Sequence, residues 1–221
     1  MKTRHLKTRH FLGAIALALA SFTLASCSGS NASESDLFGA IPGEMTQFQS
    51  EMDALQEKAK DIKTEADKKK LIAESQEIQE KYTAKIEETA KALDGKELKI
   101  TDGEFTVAQP VTLTFEGLSS KKNLSPRFKL GGELSVPADF SPAAPLIGAS
   151  YTVYLVGYDA EGTALFASKA GFVPAENVDG KGMVKAGTPV TLETLTYNDK
   201  YNEIYPNVKS LKFVVDKPQS L

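Results

Sequence analysis

From Met45 onward the apolar residues fall on a repeating step. Met45, Phe48, Met52, Leu55, Ala59, Ile62 and Ala66 are separated alternately by three and four residues, with Glu, Gln, Lys and Asp between them. That spacing is a heptad seam along one helix face. The stripe then slips, and Leu71, Ile78, Tyr82, Ile86, Ala90 and Leu93 form a second one out of register with the first. No Gly or Pro interrupts the run from Glu44 to Asp94, Thr64 with Asp67 three residues on has the form of a capping box, and Gly95 supplies a stop. Residues 44–95 therefore predict a helical hairpin, with one long helix carrying a stutter as the alternative. The stripes read either as packing within the chain or as a docking or oligomerising coiled coil.

After Lys96 the period changes to two. "KELKI", "FTVA", "VTLTFEG", "RFKLGGELSV", "SYTVYLVGYD", "TALFASKAGFV", "PVTLETLTY" and "VKSLKFVVD" read as about eight strands, rich in β-branched and aromatic residues. Asp159 and Gly162 in "YDAEGT" mark a hairpin turn, Asp179–Gly180 a second tight turn, and Gly131–Gly132 a bulge. A run of antiparallel strands of this length with no helix between them predicts, for residues 96–221, an immunoglobulin-like β-sandwich without the cysteine pair and tryptophan of antibody domains. The fold class expected for the whole chain is α+β.

The N-terminus is of a different kind. "MKTRHLKTRH" carries four basic residues and no acid, and "FLGAIALALASFTLA" is apolar or small throughout. A basic segment followed by a short apolar one is the pattern of a secretory signal peptide, and it is too short to span a bilayer comfortably. Leu24, Ala25, Ser26 and Cys27 follow, and Cys27 is the only cysteine in the chain. "LASC" resembles the lipobox of bacterial lipoproteins: an aliphatic residue, two small ones, then cysteine. The resemblance covers residues 1–27. It implies that Cys27 is lipidated on its thiol, that a peptidase recognising Leu24, Ala25 and Ser26 removes residues 1–26, and that the new amine is acylated, which anchors the chain to a membrane. Residues 27–43 then read as the lipidated cysteine and a Ser/Gly/Asn-rich tether. Within it "SESD" is either plain spacer or similar to an acidic surface-export signal. In architecture, and in the "YLVGYDAEG" type of hairpin, the mature part resembles lipoproteins of the Bacteroidota that have no assigned activity.

Removing such a leader changes the chemistry available. Both histidines, His5 and His10, lie in it, and the chain has no tryptophan. A Ser-His-Asp triad, a Cys-His pair, a zinc site and haem or iron–sulfur ligation would all lack their residues. The leader also takes four of the 26 basic residues and none of the 29 acids, leaving a net charge of −7 and Arg127 as the single arginine. Nucleic-acid binding is disfavoured on that balance. No catalytic residue, metal site or cofactor is expected.

Among exposed-looking residues, Tyr197, Tyr201 and Tyr205 recur every fourth position between two strands. One reading is a partner-binding face for a glycan or an envelope protein, because tyrosine joins a flat apolar ring to a polar tip. The other is a turn that closes the end of the core with its rings tucked in. Asp159, Glu161, Glu176, Asn177 and Asp179 lie in two loops that could hold calcium if the loops were close, although no calcium-loop motif is present. Carboxylate pairs such as Glu116 and Glu133 are candidates for a hydrolase on paper only. Ser168 and Lys169 are adjacent strand residues pointing to opposite faces, so they do not form a dyad. The expectation is a lipid-anchored envelope protein, placed at the outer membrane and facing either the periplasm or the exterior. It would serve as a non-catalytic binding or scaffolding module, with self-association through its helices as the alternative.

Overall fold

Helix α1 spans Ala40–Ala59 and α2 spans Glu65–Lys91 in the computed structural model, which describes residues 40–221 except residues 102, 120–123, 147 and 220. The two-helix reading holds. Thr64 caps α2 as its spacing from Asp67 predicts: its side chain accepts the Asp67 N–H at 3.1 Å. The helices pair antiparallel, because Lys58 meets Glu74, Glu51 meets Lys81 and Tyr82, and Glu44 meets Thr89. Met45, Phe48 and Leu55 are buried on one helix and Tyr82, Ile86 and Ala90 on the other, with the Phe48 and Tyr82 rings 5.7 Å apart. The first seam gives out after Leu55: Ala59 and Ala66 are exposed, because α1 ends there and α2 runs on past it. α1 opens at Ala40, inside the segment read as tether. Its first turn buries Ile41 and Pro42, and proline is tolerated at that position.

Ten strands follow among the described residues: β1 Glu97–Leu98, β2 Thr106–Leu118, β3 Pro126–Ser135, β4 Ser150–Tyr158, β5 Ala164–Pro174, β6 Glu176–Val178, β7 Lys181–Met183, β8 Thr191–Leu192, β9 Thr194–Thr196 and β10 Ser210–Val214. They form two four-stranded antiparallel sheets in the orders β1-β2-β3-β9 and β10-β4-β5-β8, plus the small β6–β7 hairpin. The fold class is α+β. "FTVA" and "VTLTFEG" are one strand rather than two, because β2 runs through Pro110 with the register shifted on both sides of Gln109. The bulge expected at Gly131–Gly132 lies opposite. Gly132 has φ +101, and a Cβ there would sit 2.3 Å from the Pro110 carbonyl oxygen.

The two sheets are joined at both edges. Glu193, between β8 and β9, donates its N–H to Ala170 of β5 (2.8 Å) and accepts from the Leu130 N–H of β3 (3.2 Å). At the other edge Ile100 bridges Leu211 in parallel, and the Thr101 N–H donates to the Leu211 carbonyl at 2.8 Å. A strand that changes sheets in this way turns a corner that two separate sheets would leave open. The inner faces of both sheets and the buried faces of α1 and α2 contribute to a single hydrophobic cluster, with Phe105, Phe128, Phe166 and Phe213 among its largest members. All described residues belong to one compact unit.

Candidate functional site

The three tyrosines come together at one end of the sheets. The segment between β9 and β10 forms two short 3-10 turns, Asp199–Tyr201 and Tyr205–Asn207. The first is capped by Asn198, whose side chain accepts the Lys200 N–H. This geometry stacks the rings on one another, with Tyr197–Tyr205 centroids at 4.7 Å and Tyr201–Tyr205 at 6.0 Å. Phe166 of β5 completes the cluster, 5.0 Å from Tyr205 and 5.8 Å from Tyr201. Gly157 on the neighbouring strand makes room for it: a Cβ there would lie 2.2 Å from the Phe166 ring.

Burial decides which of these rings meets solvent. Tyr197 is 2% exposed and Tyr205 3%, whereas Tyr201 is half-buried with the Lys200 ammonium 4.5 Å above its ring. Burial also pushes the phenols of Tyr197 and Tyr205 well above their ordinary pKa, so both stay neutral. The Tyr197 hydroxyl donates to Asn202 Oδ1 at 2.6 Å, and the Asn198 N–H donates to the Tyr205 hydroxyl oxygen at 3.3 Å. Of the pair of readings for this trio, the core-closing one describes Tyr197 and Tyr205, and Tyr201 alone is partly exposed to solvent.

The neighbourhood of the cluster was not legible in the sequence. α1 crosses the first 3-10 turn, where Gln49 donates to Asp199 at 3.2 Å. A polar cleft of about 350 Å3 opens there, walled by Thr46 and Gln49 of the helix and by Asp199, Lys200, Asn202 and Glu203 of the turn. Asn202 is 6% exposed, and its Nδ2 is buried without a partner among the described residues. No spacing rule links Gln49 to Asp199, 150 residues apart, so only the fold brings them together.

The remaining candidates are dispersed. Asp159 and Glu161 lie in the β4–β5 turn, where Asp159 Oδ1 accepts the N–H groups of Glu161 and Thr163. Glu176, Asn177 and Asp179 lie at the far end of the same strand pair, around the β6–β7 turn, where Asn177 Oδ1 accepts the Gly180 N–H. Asp159 and Asn177 shape their own turns, and the two groups lie at opposite ends of the strand pair and do not converge, which removes the calcium grouping. Among the described residues no cluster of three or more acidic, His or Cys side chains could hold a metal. Glu116 is engaged by Arg127 (3.4 Å) and Thr194 (2.9 Å), and Lys169 by Glu193 (3.0 Å), across the corner where the sheets join. Leu24, Ala25, Ser26 and Cys27 lie outside the described residues. Among the described residues no helix is long and apolar enough to cross a membrane. No family model matches this chain, and neither a curated protein nor a solved structure matches it significantly.

Proposed function

We propose that this chain is a bacterial envelope lipoprotein, held to a membrane by acyl chains on Cys27 and acting as a non-catalytic binding or scaffolding module. The observation that carries the reading is the "LASC" tetrad directly after a cationic and then apolar leader, with Cys27 as the sole cysteine. The finer fold reading, an immunoglobulin-like sandwich, belongs to the proposal as well, supported by two four-stranded antiparallel sheets around one core. The face offered to an envelope protein or a glycan is the end carrying Tyr201 and the cleft beside α1. The test is metabolic labelling of growing cells with an alkyne fatty acid. Wild type should carry the label and sediment with membranes, and Cys27→Ala should lose the label and run as an unprocessed precursor. Equal labelling of the two would refute the anchor. Protease shaving of intact and lysed cells then separates an exterior from a periplasmic placement.

A second reading, self-association through the helices, is supported by one observation. The ion pair of Lys58 with Glu74 places the end of α1 opposite the third turn of α2, so the residues of α2 before Glu74 extend beyond it. Ile72 in that extension is 50% exposed. Sedimentation at rising concentration tests it: Ile72→Glu should lower any association of the wild type.

A further inference from the structure

The end of the molecule opposite the tyrosine cluster holds a cleft of another character. On β4, Gly157 pairs with Phe166 under the tyrosines, whereas Tyr151 pairs with Val173, about 20 Å further along at ~3.4 Å per residue. There the loop from Ser141 to Leu146 faces the β6–β7 turn across a space of about 470 Å3. Pro142, Pro145 and Leu146 give the loop side an apolar lining, Gly180, Lys181 and Gly182 line the hairpin side, and Tyr151 is part of the lining.

Tyr151 is 4% exposed and its ring belongs to the core. Its hydroxyl has no hydrogen-bond partner among the described residues, yet it is not sealed in, since Asn202 Nδ2 is the one sealed, unpartnered side-chain atom among them. A phenol with an apolar body in the core and an unpaired tip at a cleft is a donor waiting for an acceptor. The approach of β7 is built around it. A Cβ on Gly182 would come 1.9 Å from the Tyr151 hydroxyl oxygen, so only glycine leaves the phenol its place.

The walls are held before any ligand arrives. The N–H groups of Ala143 and Ala144 donate to the two carboxylate oxygens of Asp216 at 2.7 and 2.9 Å, and the Ser141 hydroxyl donates to the Gly182 carbonyl at 2.7 Å. Phe140 and Val184 exchange backbone hydrogen bonds at the base of the loop. A site fixed in this way loses little ordering entropy on binding. Lys181 stands exposed at the rim in no ion pair with a described residue, and the one carboxylate against the wall, Asp216, is taken up by the Ala143 and Ala144 N–H groups.

We propose that this cleft binds a small amphipathic organic anion, with its apolar body against Pro142, Pro145 and Leu146 and its carboxylate between the Tyr151 hydroxyl and Lys181. The site is independent of the lipid anchor and of the Tyr201 face. The test titrates phenylacetate, and its uncharged analogue phenylacetamide, into the full chain in lipid nanodiscs, with empty nanodiscs as the blank, reading affinity by calorimetry and saturation-transfer NMR. Wild type should bind phenylacetate more tightly than phenylacetamide. Tyr151→Phe should weaken phenylacetate binding by about 3–10-fold while leaving the unfolding midpoint unchanged or higher, because the deleted hydroxyl has no partner in the protein. Lys181→Met, at an exposed position, should erase the preference for the charged probe. Uptake no greater than that of empty nanodiscs, or wild-type affinity in both variants, overturns the proposal. So does a Tyr151→Phe chain that loses stability, which would make the hydroxyl structural.

Discussion

Removing the hydroxyl of Tyr197 tests whether the tyrosine cluster is part of the fold. In Tyr197→Phe the ring stays among its neighbours, 4.7 Å from Tyr205. What is lost is the 2.6 Å bond to Asn202 Oδ1. Asn202 already buries an unpaired Nδ2, so the variant strands both polar atoms of one amide. Leaving a buried acceptor unmade costs about 1–3 kcal/mol, and for a chain of this size each kcal/mol lowers Tm by roughly 2–4 °C. Asn202→Leu removes the amide while keeping similar volume, and Asn202 has helical backbone angles (φ −51, ψ −41) that leucine adopts freely. In the Tyr197→Phe, Asn202→Leu double variant no amide is stranded, so it should be more stable than Tyr197→Phe alone. The cycle should then show a coupling of about 1 kcal/mol or more by urea denaturation. Additivity within about 0.5 kcal/mol would refute the account, because it would mean that the two side chains do not act as a unit.

Gly157→Ala places a methyl 2.2 Å from the Phe166 ring, so it should destabilise by about 1–3 kcal/mol, with Phe166→Leu restoring part of the loss in the double variant. Burial raises the Glu104 carboxyl above its ordinary value, with the nearby Asp216 adding to the effect and the Val215 N–H opposing it. The folded chain therefore holds that proton to higher pH than the unfolded one, and stability is lost as pH rises through the raised pKa. Glu104→Gln keeps an acceptor for Val215, so its denaturation midpoint should exceed wild type at pH 7, and the gap should close below the ordinary carboxyl value of 4.5. Thr64→Ala removes the α2 cap at a cost of about 1 kcal/mol, and hydrogen exchange should rise at the Asp67 and Lys68 amides while the β4 amides stay protected.

Much of the secondary structure could be read along the chain because its causes are local. The step of three and four that places Met45, Phe48 and Leu55 on one face is a property of the helix, and so is the slip that marks the hairpin turn. Asp159 and Gly162 set the β4–β5 turn within four residues of each other, the aspartate by accepting two N–H groups and the glycine by its φ of +81. The β6–β7 hairpin was legible only as a turn, since three-residue strands carry too few positions to show a period. β2 read as two pieces because Pro110 normally ends a strand, and only the bulge with Gly132 opposite lets the strand pass through it.

The sequence by itself determined the two helical stripes with the cap between them, the alternation of most strands, the absence of histidine after His10 and the pattern at Cys27. Each is a matter of residue type and short-range spacing. Tertiary structure decided what those rules cannot reach. It sent Tyr197 and Tyr205 inward and left Tyr201 partly out, with Phe166 from β5 packed against Tyr201 and Tyr205, and Tyr197 against Tyr205. It put the two acidic loops at opposite ends of one strand pair, joined the sheets through Glu193, and opened a cleft onto Tyr151 where Gly182 leaves room for a phenol. In every such case the partners are far apart in the chain, and their meeting depends on how the sheets close around a shared core, which no local period encodes.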